Sequence, residues 1–119
     1  MESFTPEEIR EAHRAILSLR NKSEKASGKL REGSRQKKQM DSYVSAADIA
    51  LQLMDGDTAK PFACEVLNEA DKSLGDALRR AEEMIGKFAA GSSQHTLQKN
   101  RIVALKIALA LIEKGRQHD

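Results

Sequence analysis

The chain has 119 residues, of which 39% are hydrophobic, 32% charged and 3% aromatic, with a formal net charge of +2. That length fits one domain with a modest core. A single cysteine excludes an internal disulfide and any CxxC metal or redox pair.

The apolar residues are mostly Ala, Leu, Ile and Met, which suit helices. No run alternates β-branched or aromatic residues with polar ones, and no Asn-Gly or Asp-Gly turn occurs. The expected fold is all-α: an antiparallel four-helix bundle with a long third helix, forming a dimer. One domain spans 1–119, with helices at about 6–31, 35–54, 59–90 and 94–114.

Met1-Glu2-Ser3-Phe4 shows no basic segment leading into an apolar run, so no signal peptide is expected. The first helix begins at Thr5-Pro6-Glu7-Glu8. Thr5 is the cap, proline takes the first helical position and Glu8 completes a capping box. Ile9, Ala12, Ile16 and Leu19 follow at helical spacing. Beyond Arg20 the stripe thins to Ala26 and Leu30, and Gly28 and Gly33 suggest an end.

The second helix starts near Ser34 and carries Met40, Tyr43, Val44, Ala47, Ala50, Leu51 and Met54 on heptad positions a, d and e. Asp55-Gly56-Asp57 makes the turn. In the third helix, starting between Thr58 and Pro61, Leu67, Leu74, Ala81 and Phe88 recur every seven residues. Ala70, Ala77 and Met84 form a second row, and Leu78 and Ile85 a third. The pattern crosses Gly75 in phase, which predicts one helix, and Gly91 is the expected end.

The fourth helix runs from Gln94 to a stop at Gly115. Its stretch 102–112, broken only by Lys106, is apolar nearly all round. That is short of the about 20 residues a membrane span needs, so no span is predicted and the expected location is cytoplasmic. A helix apolar on every side must be covered on every side. A second copy of the chain is the simplest cover, docked on a self-association face of Ile102, Val103, Ile107, Leu109 and Ala110.

Charge is segregated. Residues 20–39 hold eight basic side chains against two acids, a net of +6. They are Arg20, Lys22, Lys25, Lys29, Arg31, Arg35, Lys37 and Lys38. Residues 40–78 hold eight acids against two basic side chains, a net of −6. The plain reading is a solvated basic corner facing an acidic face. The sharper one is an anion-binding patch for nucleic acid, anionic lipid or an acidic protein. No aromatic interleaves the basic segment to stack on bases.

Nothing in the sequence pairs a nucleophile with a base. Glu-x-x-His, HExxH, P-loop and GxGxxG patterns are absent, so no catalytic residue, metal or cofactor is assigned. His13 borders the stripe of the first helix, His95 opens the fourth, and His118 lies in the tail. Cys64 reads as a small buried thiol. One polar cluster stands at the start of the fourth helix: Ser93, His95, Lys99 and Arg101, where free N–H groups favour anions. The plain alternative is serine capping plus a semi-buried Arg101 paired with Asp48 or Asp71.

The leading expectation is therefore a non-enzymatic helical-bundle interaction protein that self-associates through the fourth helix. An anion- or nucleic-acid-binding module using residues 20–38 is the alternative. A small enzyme or ligand-binding bundle centred on His95 and Arg101 comes third.

Overall fold

The computed structural model describes residues 4–56 and 62–116. Four helices pack against each other: α1 (Pro6–Gly28), α2 (Arg35–Met54), α3 (Cys64–Ile85) and α4 (Ser93–Arg116). No strand occurs among the described residues. The expected start of the third helix between Thr58 and Pro61, the residues Met1 to Ser3 read for a signal peptide, and the tail residue His118 lie outside the described residues.

The end signals of α1 act as its sequence implies. Thr5 Oγ1 accepts from the Glu8 N–H at 3.0 Å, and Glu8 Oε1 accepts from the Thr5 N–H at 2.8 Å. The helix then runs to Gly28, three residues short of the expected end. Its buried line does not fade after Arg20. Ala12, Ile16 and Leu19 continue into Ser23 and Ser27, both buried. Lys37 of α2 donates to the Ser27 carbonyl at 3.1 Å and to its Oγ at 2.9 Å. The Ser27 hydroxyl donates to Asp41. This cluster satisfies a terminal carbonyl of α1 and ties it to the first turns of α2. Gly33, at φ 81°, completes the turn, and Ser34 caps α2 by accepting from the Lys37 N–H at 3.2 Å.

The third helix is not long. With 22 residues, α3 is shorter than α1 with 23 and α4 with 24. It passes through Gly75 unbroken but ends at Ile85, and Gly86 follows as its cap. Phe88 keeps the seven-residue spacing yet sits half-buried in a turn closed by Lys87 N–H to Met84 carbonyl and Phe88 N–H to Ile85 carbonyl bonds. The apolar period thus outlasts the helix, which is why it overstates the length. In the same way, α4 continues through Gly115 to Arg116 instead of stopping at the glycine.

The core draws on all four helices, and its buried apolar side chains include Ala12, Ala46, Ala47, Ala50, Ala70, Ala77, Ala104 and Ala108. Among the described residues, the large side chains that are fully buried are Ile16, Leu74, Leu105 and Ile112. Small side chains bring the helix axes close, at the expense of apolar area removed from water. The molecule measures 40 × 37 × 18 Å. The thin dimension is that of two helix layers. The two long ones each match a 24-residue helix, about 36 Å at 1.5 Å per residue. The chain is a two-layer slab, broader than four aligned rods would be. Contacts run α1 to α2, α2 to α3, α3 to α4 and α4 to α1, with α2 and α4 also meeting across the middle.

Candidate functional site

An opening with a mostly apolar lining lies between α1 and α4. It is a groove of about 510 Å³ whose walls include Glu7, Glu11, Ala15 and Ser18 of α1 and Leu97, Val103 and Ile107 of α4. Val103 is 52% exposed and Leu97 36%, whereas Ile107 at the floor is 5% exposed.

This changes the expected self-association face. α4 touches α1, α2 and α3, so the chain itself covers most of its apolar circumference. Ile107 is core, and Leu109 packs against the core. Ile102 and Ala110 are half-buried. Of the five residues, Val103 is the one left open to solvent. A stretch that is apolar nearly all round thus finds most of its cover within its own chain.

The polar cluster at the start of α4 divides in two. Ser92, not Ser93, caps the helix, and its Oγ accepts from the His95 N–H at 3.1 Å. Ser93 and Lys99 are exposed and His95 is half-buried. Arg101 turns toward the core, two residues from Lys99 and hence on the other side of the helix. Neither expected acid pairs with it. Asp48 accepts from Arg20 Nε at 3.0 Å, and Asp71 lies 3.7 Å from the Arg116 guanidinium. Arg101 Nε is buried without a hydrogen-bond partner among the described residues. Burial pulls the guanidinium below its ordinary pKa, since no anion offsets lost hydration.

The basic segment is partly consumed by the fold. Arg20 pairs with Asp48 and Glu24, and Lys37 serves the α1–α2 joint. Lys22, Lys25, Lys29, Arg31, Arg35 and Lys38 are exposed around that corner.

A second polar network, which apolar counting along the sequence overlooks, joins α2 to α3. The Tyr43 hydroxyl donates to Asp76 Oδ2 at 2.5 Å, Gln39 Nε2 donates to the same oxygen at 3.2 Å, and Arg79 reaches Oδ1 at 2.6 Å. The Tyr43 hydroxyl holds the Asp76 carboxyl below its ordinary value, with help from Arg79 and Arg80. Burial, reinforced by the neighbouring carboxylate, pushes Tyr43 well above the usual phenol range. This is an interhelical tie between α2 and α3.

Cys64 is exposed, against the expectation of a buried thiol. As the first residue of α3 it precedes the stripe that begins at Leu67. His13 Nε2 lies 3.4 Å from Asp55 Oδ1 at the α1–α2 boundary. Among the described residues, no three His, Cys, Asp or Glu side chains gather where a metal could be held. No helix of the described residues is long and apolar enough to cross a membrane. No family model, curated protein or solved structure matches the chain.

Proposed function

We propose that the chain is a non-enzymatic interaction module that self-associates through its α1–α4 face. The observation that supports this is Val103, the most exposed of the large apolar side chains at 52%, standing with Leu97 on the rim of the groove. Single exposed apolar residues need no explanation. Two on one rim, over an apolar floor of Ala12, Ala104 and Ile107, form the centre of a small contact patch.

Size exclusion with light scattering tests the reading. The wild-type chain is expected at twice its 13.2 kDa mass, and the variant Leu97→Glu/Val103→Glu as a folded monomer with unchanged helical circular dichroism. Both positions are exposed, so the variant spares the core. Leu109, which packs against the core, would not. A wild-type chain that stays monomeric at all concentrations sinks the proposal.

A second reading rests on the six exposed cations of the α1–α2 corner, which would bind nucleic acid or another polyanion. With no Trp and one Tyr, the protein absorbs little ultraviolet light. A heavy species with strong 260 nm absorbance that salt strips away would favour this reading instead.

A further inference from the structure

The wall of the groove extends along α1 beyond the groove itself. Glu7, Glu11, Ala15 and Ser18 line it, and the same stripe continues at spacings of three and four through Lys22 and Lys25 of α1 to Lys29, the residue that caps its end. The stripe therefore begins acidic and ends basic. Glu7, Glu11, Lys22, Lys25 and Lys29 are all exposed. None of these five makes an ion pair among the described residues, in contrast to Arg20, Arg79, Arg80 and Arg116.

The order is also symmetric about one residue. Ser18 lies seven positions from Glu11 and seven from Lys25, and eleven from both Glu7 and Lys29. Resting on the self-association proposed above, we infer that the second copy crosses α1 antiparallel, about a two-fold axis at Ser18. Glu11 then meets Lys25 of the second copy and Glu7 meets its Lys29, each contact occurring twice, as an isologous interface requires. Ala15 and Ser18 are small enough to let the two helices approach. A parallel register would set acid on acid and base on base, which costs affinity. Arg14 falls opposite Lys22 in the antiparallel register. It is the one like-charged pair, and both side chains are exposed and long enough to turn toward solvent.

Charge exchange tests the register. The acid-reversed variant Glu7→Lys/Glu11→Lys and the base-reversed variant Lys25→Glu/Lys29→Glu are each compared with wild type by sedimentation velocity. Each alone is expected to self-associate at least about tenfold more weakly. An equimolar mixture is expected to form a mixed dimer, and the fourfold variant carrying all the reversals to recover the homodimer. If wild type is a dimer and both double variants dimerise equally well, the register is wrong while self-association stands. If both weaken but neither the mixture nor the fourfold variant recovers, the charge pairing is overturned. A monomeric wild type removes the register together with the reading it rests on.

Discussion

Arg101 is the residue whose chemistry and position disagree most. A guanidinium keeps five donors and its charge in nearly any setting, yet here Nε faces the interior with nothing among the described residues to accept from it. Such a group costs stability, because lost hydration is not returned as a hydrogen bond. Arg101→Met keeps most of the side-chain length and removes the charge. It is expected to raise the urea midpoint, by on the order of 1 kcal/mol in unfolding free energy. A loss of stability in phosphate buffer, absent in a buffer without phosphate, would mean instead that the arginine takes up an anion from solution. The helical period alone implies a semi-buried Arg101, and the side chain is half-buried. That period does not reveal that Asp48 and Asp71 are taken by Arg20 and Arg116, since competition among partners is settled by distance in space.

The helices were legible to differing depths, and the reasons lie in their side chains. The start of α1 was readable to the residue because a capping box is a local device. Its buried line past Arg20 was not, because Ser23 and Ser27 continue it with hydroxyls that apolar counting discards. Between α2 and α3, Tyr43 was read as an apolar core position, and its hydroxyl tie to Asp76 was missed for the same reason. Tyr43→Phe keeps the ring and deletes the bond. Hydrogen bonds to charged groups contribute about 1.5–3 kcal/mol, and this partly buried one is expected at the lower end. The pH dependence follows in sign. Asp76 has a folded pKa below its ordinary 3.8. It therefore contributes stability that is complete above that value and is lost as pH falls through the lower folded one. Tyr43 has a folded pKa raised above its ordinary 10.0, so its contribution is complete below pH 10 and fades as pH climbs beyond. Thermal melts of Tyr43→Phe should thus show a shallower acid limb than wild type. A limb of unchanged slope would assign Asp76's low pKa to Arg79 and Arg80 alone.

At the scale of the molecule, the fold class was readable and the shape was not. Period and composition announce helices, but nothing local says whether four of them align as a rod or spread as a slab 18 Å thick. The cover on the apolar stretch of α4 is likewise set by packing in space. In the slab, three neighbours cover it and only Val103 stays open, so the sequence-level case for a second copy shrinks to a rim of two residues and a polarised stripe. A core of 119 residues in which alanine recurs removes a modest apolar area from water. Association would then add measurably to its stability through mass action. The melting temperature is expected to rise with protein concentration, and Leu97→Glu/Val103→Glu should abolish the dependence. A melting temperature independent of concentration in wild type would show that the monomer is the folding unit.

The tie at Asp76 has an optical consequence. Tyr43 is the only tyrosine and there is no tryptophan, so the near-ultraviolet emission of the protein comes from one ring wedged between two helices. A phenol bonded to a carboxylate emits weakly. Parting α2 from α3 would free it and brighten the signal, while loosening elsewhere would leave it dark. The chain thus carries an unlabelled gauge of a single joint, one that can time the opening of that seam apart from the unfolding of the whole.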